Sequence, residues 1–368
     1  MMLGDGDGSQ KDARGPTERA LPAEFAAVWL VMRGSAYAPG AAVSAWTWRE
    51  AGSRALLVCM VTPDVDEHAR RALRGVFDVV EEVQYMQHAR CVALASAKKR
   101  RMYDAWKSVG FTKWRCLGLA HLARVVLFMD ADTVLGPLRA ADRRRDVDEL
   151  FSLPAPAGTF SSPWHAPWNR RAPCANPFAS LRHGDPVPEP LLRKGYDTSF
   201  LIGTTVLLPT WRGADAEMQR WLARHETFGW RRCGSMLDEQ AVCAFFHQTR
   251  PQMRWTMIGP AFNSIPWHAH TWPGATPQRV LHFFNSNPWE ARDPAALWDD
   301  MEPWFEAARR AVQSTSRGDS KFHWWEFGQR ARSLRDCLAT WDARPGRQRE
   351  SANCDRALRS VAHAGESV

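Results

Sequence analysis

Four Asp-x-Asp pairs stand in this chain: Asp5/Asp7, Asp64/Asp66, Asp130/Asp132 and Asp146/Asp148. The pattern is common, so its surroundings decide what it can do. The first pair lies in a polar leader, MMLGDGDGSQ. The second opens a helical pattern, where carboxylates favour the positive end of the helix dipole, with Thr62 and Asp64 placed to cap it. The fourth falls in the charged run RRRDVDEL and reads as a solvated helix start. Asp130/Asp132 is different, because it ends an apolar run, VVLFMD, of the kind that forms a buried strand. Ligands of open α/β sheets bind beyond the carboxyl ends of the strands. Two carboxylates at such an end call for a cation, and Mg²⁺ or Mn²⁺ binds through one or two carboxylates together with substrate phosphates. On position alone, a capping cluster without metal is the alternative.

The elements around that pair read as an α/β fold. Ala26–Met32 (AAVWLVM), Ala55–Val61 (ALLVCMV) and Phe77–Tyr85 are predicted strands. Helices over Pro39–Glu50 and Val65–Arg74 separate them, with Pro39 suited to a first helical turn. Strand, helix, strand, helix, strand at this spacing argues a mostly parallel, doubly wound sheet. A basic patch, Lys98–Arg101, precedes a helical stretch over Phe111–Leu122 and the strand that ends in Asp130. Residues 152–195 read as a long functional loop. Phe200–Leu208 returns to strand, Trp211–His225 and a segment from Leu237 to helix, and Val280–Phe284 to a last short strand. The domain reading is a flexible leader over 1–23, one catalytic domain over 24–290 and a helical extension with a frayed tail over 291–368.

Composition narrows the function classes. Of 368 residues, 45% are hydrophobic and 24% charged, which excludes a disordered chain. No apolar run approaches the roughly 20 residues of a membrane helix, and the polar leader is no secretory signal, so the expected location is cytoplasmic. The eight cysteines form no C-x-x-C pair and are expected to be free, buried thiols. The 19 Trp against 4 Tyr, with abundant Arg, suit stacking on sugars or bases. A net charge of +8 is a modest excess, and the Trp residues are spread along the chain, which disfavours a nucleic-acid partner.

A set of landmarks then appears in order: Tyr37-Ala38-Pro39-Gly40 after the first strand, LLVCMVTPDV, VFDVVEEV, FTKWRCL, LFMDADTVL, GTTVLLP, LDEQAVCAFF and VLHFFNSNPW. Together they resemble the glycogenin-type glycosyltransferases of family eight, and closer still the glycogenin-like proteins of large insect DNA viruses, which would place the protein in a host-cell cytoplasm. The resemblance covers roughly Ala26 to Trp289. It implies a GT-A-type nucleotide-diphospho-sugar transferase fold, with a mostly parallel central sheet flanked by helices, and transfer of a sugar from a UDP-sugar with Mn²⁺ (or Mg²⁺) and retention of configuration. It implies that Asp130, Asp132 and His282 are the metal ligands, with Asp130 and Ala131 also on the nucleotide. It places Val31 and Tyr37 at the uracil and ribose, Lys113 and either Arg100 or Arg101 at the donor, and Gly203 in the donor-binding GTTVLLP segment. In LDEQ, Asp238 and Gln240 would lie near the transferred sugar, with Glu239 as the alternative register. The acceptor is an unidentified glycan or protein, and a homodimer is left open.

Three departures from the family stand out. Arg33-Gly34 replaces a Thr-Asn pair, and Leu201-Ile202 replaces Asn-Ser. The His-x-x-Gly-x-x-Lys-Pro-Trp motif is one residue shorter here and has Asn287 in place of Lys. One diphosphate contact is therefore missing or is supplied by Arg33. AFNSIPWHAHTW, where glycogenin carries the Tyr it glucosylates, has no Tyr, which argues against self-glucosylation there. A sugar-nucleotide binder without turnover and, more remotely, a Trp-rich nucleic-acid binder are the competing readings.

Overall fold

The computed structural model describes residues 22–88, 106, 108–136, 147–160, 178, 180–192, 204–224, 237–266, 278–283, 287–293, 297, 299–316, 326–328 and 331–344. Arg100, Arg101, Gly203, much of the loop predicted over 152–195 and nearly all of the leader lie outside the described residues.

The amino-terminal half forms as its hydrophobic pattern dictates. β1 (Ala23–Val31), α1 (Ala38–Glu50), β2 (Leu56–Val61), α2 (Glu67–Arg74) and β3 (Val79–Glu82) follow one another. A 3₁₀ helix over Gly110–His121, kinked at Leu119, then leads into β4 (Ala123–Phe128). β1 is central and pairs in parallel with β2 and β4, and β2 pairs in parallel with β3. Its run is continuously apolar because both faces are covered. Ala27, Trp29 and Val31 enter one apolar layer, and Ala26 and Val28 enter the other. Leu57, Cys59 and Val61 alternate with Val58 and Met60 in the same way.

The remaining strands are short. They are β5 (Thr133–Leu135), β6 (Ala157–Gly158), β7 (Val206–Pro209), β8 (Thr256–Met257) and β9 (Val280–His282). The main sheet runs β3-β2-β1-β4-β7-β6-β8, with β7 antiparallel to β4. It is flanked by helices, which include α3 (Ala214–Arg224), α4 (Leu237–Thr249), α5 (Glu302–Ser316) and α6 (Leu334–Asp342). The outcome is the expected α/β architecture with a mostly parallel central sheet. β9 does not join that sheet; it pairs with β5 in a separate antiparallel ladder. No helix among the described residues is long and apolar enough to cross a membrane. Cys59, Cys116, Cys243 and Cys337 are free and buried.

Three local readings are corrected. The cap of α2 is Asp66, not Thr62 or Asp64: its carboxylate accepts from the Ala69 N–H at 2.8 Å and from Ser35 Oγ at 2.6 Å. Thr62 and Asp64 bond to each other and to the Tyr85 hydroxyl instead. Asp148 is not solvated. It is buried and accepts from Ser53 Oγ at 2.5 Å and Arg54 N–H at 3.0 Å, latching the turn before β2. The strand predicted over Phe200–Leu208 begins, among the described residues, only at Val206, because Thr205 takes a left-handed φ of 57°.

α1 packs against the end of β4 through Gly40. A Cβ there would meet the Trp289 ring at 2.3 Å and the Ala131 carbonyl oxygen at 2.7 Å. Helix propensity favours Ala by about 1 kcal/mol, but a fixed ring and a backbone carbonyl cannot both yield, and overpacking costs about 1–3 kcal/mol. Gly40→Ala should therefore lower the thermal unfolding midpoint by several degrees; an unchanged or raised midpoint contradicts this packing. Asp66→Ala should cost about 1 kcal/mol through the lost cap. Burial opposes ionisation of Asp66, but hydrogen bonds from Ser35 and Ala69 hold its carboxyl below the ordinary 3.8. A depressed folded value means a contribution present at neutral pH and lost as pH falls below the ordinary carboxylate range. The difference in stability between parent and variant, measured by denaturant unfolding, should shrink towards acid pH.

Candidate metal and donor site

The turn after β4 carries Asp130, Ala131 and Asp132, and the chain enters β5 at once. In the β5–β9 ladder Thr133 faces His282, and the Phe283 N–H donates to the Asp132 carbonyl at 2.8 Å. That register carries His282 across about 150 positions of sequence to the Asp pair. One ligand atom each from Asp130, Asp132 and His282 lie within 4.8 Å of one another. Nε2 of His282 is 3.4 Å from Oδ1 of Asp132, a buried oxygen that accepts no hydrogen bond. Two carboxylate oxygens and an imidazole form a donor set that suits a divalent ion taking further oxygens from a phosphate. The residues present therefore fit the ion.

A directed hydrogen-bond chain holds the turn. The Thr133 hydroxyl donates to the Asp130 carbonyl at 2.8 Å, so it must accept from Ser44 Oγ at 3.0 Å, which in turn accepts from Trp29 Nε1–H at 2.8 Å. Trp29, Ser44 and Thr133 are buried. The Asp130 N–H donates to Thr204 Oγ1 at 2.7 Å.

Lys113 joins the second half of the site. Its Nζ is 3.0 Å from Oδ2 of Asp238 and 3.7 Å from Oδ1 of Asp130. Asp238 stands in the first turn of α4, 1% exposed, and its carbonyl accepts from Trp114 Nε1–H at 2.8 Å. Asp238 and Gln240 are both buried, and Glu239 is partly exposed. Positions two apart on a helix do not face each other, so the Lys113 contact singles out Asp238 rather than the pair.

Charge in this cluster is unbalanced. Burial raises the Asp130 carboxyl to about 6; Lys113 and His282 pull it down, while Asp132 and Asp238 push it up. Burial lowers Lys113, yet Asp130, Asp238 and Glu239 outweigh it and leave the ammonium raised. His282 is raised for the same reason, by Asp132 and Asp130 against its burial. Among the described residues, three carboxylates against one ammonium leave a deficit that a divalent cation would fill.

One wall is aromatic. Tyr37 is edge-on to Trp106 at 5.5 Å and to Trp289 at 5.8 Å between ring centroids. Asn287 Nδ2–H donates to its hydroxyl at 3.2 Å. Burial above all, with Glu290, Asp132 and Asp130 adding to it, raises that hydroxyl to about 12, so it stays protonated. The Arg33 guanidinium lies 4.7 Å over Trp106. Val31 is fully buried in the apolar layer behind. Sequence reasoning did not single out Ser44, Thr133, Thr204 or Asn263. Such residues carry no periodic signal and read as ordinary cap or turn formers.

No family model matches the chain. Over 156 residues it is 25% identical to an uncharacterised protein of Acanthamoeba polyphaga mimivirus, covering 41% of this chain and 50% of that protein. Over 121 residues it is 32% identical to human glycogenin-1, covering 33% of this chain and 32% of glycogenin-1. The chain thus spans half or less of the curated relatives it matches. Among solved structures it is similar to the bifunctional glycosyltransferase WbbM, with a TM-score of 0.45, 14% identity, and 80% of this chain and 51% of that chain covered. It is also similar to the galactosyltransferase LgtC in complex with donor and acceptor sugar analogues, at 0.43 and 13%, covering 77% and 95%. At these scores the structural likenesses carry no argument of their own. The sequence relatives, and a mostly parallel sheet whose β4 leads into Asp-x-Asp, agree with the resemblance to the glycogenin-type glycosyltransferases.

Proposed function

We propose that the protein is a metal-dependent retaining glycosyltransferase that moves a hexose from a UDP-sugar to a glycan or protein acceptor. The observation that carries this reading is the Asp130–Asp132–His282 cluster joined through Lys113 to Asp238. Asp130, Asp132 and His282 would hold Mn²⁺ or Mg²⁺, which supplies Lewis-acid neutralisation of the departing diphosphate when bound. Lys113 adds a fixed positive charge on the same side, where negative charge grows as the glycosidic bond to phosphate breaks. Asp238 is the buried carboxylate within reach of Lys113, and it suits the positive charge that develops on the sugar carbon. Gln240 remains the second sugar-side candidate from the family motif. Tyr37, with Val31 and the Ala131 backbone, would line the nucleoside side. Arg33, stacked on Trp106, would supply the cation that Asn287 does not provide.

A binder without turnover is the second reading. It is favoured by Asn287, whose amide is directed to Tyr37 rather than offering a cation. One assay separates the two: incubation with a panel of UDP-sugars and Mn²⁺, measuring UDP release. The transferase reading expects release with at least one donor and its loss on chelation of the metal. Asp132→Ala should lower the rate by roughly two to three orders of magnitude; full activity in that variant sinks the site assignment. Lys113→Met removes the counter-charge of a buried carboxylate, and should cost about 3–5 kcal/mol of stability as well as donor affinity. Thermal unfolding and UDP calorimetry read the two effects separately.

A further inference from the structure

We infer that Asn263 is a positioning residue of the metal centre, fixing the proton of His282 on Nδ1 and, through Thr204, tying that ring to Asp130. The inference deepens the metal reading above and rests on it. His282 Nδ1 is 2.9 Å from Oδ1 of Asn263, and both side chains are buried. The other end of the same amide, Nδ2, points at the Thr204 carbonyl at 3.4 Å. A carbonyl can only accept, so the rotated amide would set oxygen against oxygen there; the amide orientation is fixed by the backbone. Oδ1 then faces the ring and can only accept, which requires Nδ1 to carry a proton. In the neutral ring Nε2 then keeps its lone pair, and Nε2 is the nitrogen that faces Oδ1 of Asp132, the side on which the ion would be held. A metal-bound imidazole needs this arrangement, with one nitrogen donating outward and the other free to ligate.

Thr204 makes the device a bracket rather than a single bond. Its carbonyl receives the Asn263 amide, and its hydroxyl accepts the Asp130 N–H at 2.7 Å. The next residue, Thr205, sits in the left-handed region, and its hydroxyl donates to the Phe262 carbonyl at 2.8 Å. Two adjacent residues of one corner thus grip residues 262 and 263 on one side and the metal-ligand turn on the other. Thr204, Thr205 and Asn263 are all buried. The spacing between Asp130 and His282 is set by this bracket as well as by the β5–β9 ladder.

The test uses the full chain with Mn²⁺ alone as the probe. Asn263→Leu should weaken Mn²⁺ about 10- to 100-fold by titration calorimetry. Asn263→Asp, which still accepts from Nδ1 but sets a carboxylate oxygen against the Thr204 carbonyl, should weaken Mn²⁺ less than Asn263→Leu does. Nitrogen NMR of the parent's imidazole at alkaline pH should show the proton on Nδ1; this measurement needs no variant and stands even if Asn263→Leu fails to fold. A parent ring protonated on Nε2 overturns the inference. So does Asn263→Leu binding Mn²⁺ as tightly as the parent while Asp132→Ala loses it, an outcome that leaves the metal site standing. If Asp132→Ala also keeps the parent affinity, the metal reading fails and the inference falls with it.

Discussion

An excess of negative charge, part of it buried, at the carboxyl end of β4 is the constraint around which this structure is arranged. Asp130, Asp132 and Asp238 converge where the Lys113 ammonium bridges two of them. Moving a single ion out of water costs several kcal/mol, and one partner does not offset three carboxylates. The groups register this consistently. The Asp130 carboxyl is raised, and Lys113 and His282 are raised with it despite burial that would lower them. Acids and bases shifted in the same upward direction mark a site that attracts positive charge. A structural ion-pair network would balance itself; among the described residues this cluster stays short of cations.

Bringing those groups together demands long-range order, and the sheet supplies it. β1, β2 and β4 are clamped between two apolar layers, so the end of β4 is fixed in depth. The Asp-x-Asp turn is then held by the Trp29–Ser44–Thr133 chain from below and by Thr204 from the side. His282 arrives by strand register and Asp238 by a helix start docked on Trp114. No two of these anchors belong to the same element. A site so distributed is rigid only if the packing behind it is, which is why the close contact of Gly40 with Trp289 and Ala131 matters to chemistry as well as to stability.

Much of the frame was legible because burial on both faces leaves a plain trace. The runs 26–32, 55–61 and 125–130 are apolar without alternation, and each became a central strand. The trace fails where pairing partners decide. Three residues of β9 cannot announce that they leave the main sheet, and nothing in VLLP reveals that β7 runs antiparallel. Asp148 looked solvated because its neighbours in sequence are charged, whereas its burial comes from Ser53 and Arg54 about 95 residues away. For the site, position alone separated Asp130/Asp132 from three similar pairs. His282, Lys113 and Asp238 needed the resemblance to a family, since each is an ordinary core, surface or cap residue on local pattern. Asn263 left no trace at all, because an Asn in a loop segment is expected on turn chemistry.

Backbone strain adds an independent pointer to the same place. Among the described residues, Arg33 and Thr205 are the non-glycine positions with left-handed φ, at 61° and 57°. A side chain there costs of order 1–3 kcal/mol, and a β-branched one lies at the unfavourable end. Glycine would remove the strain at either position, so something must over-determine them. At Arg33 the N–H donates to the Tyr85 hydroxyl at 2.9 Å, itself anchored on Asp64, while the guanidinium is stacked on Trp106. At Thr205 the hydroxyl is spent on the Phe262 carbonyl. The first lies just beyond β1 and the second just before β7, the strands on either side of β4. Strain stored on both flanks of the strand that ends in Asp130 fits a corner of the molecule shaped for binding rather than for maximal stability.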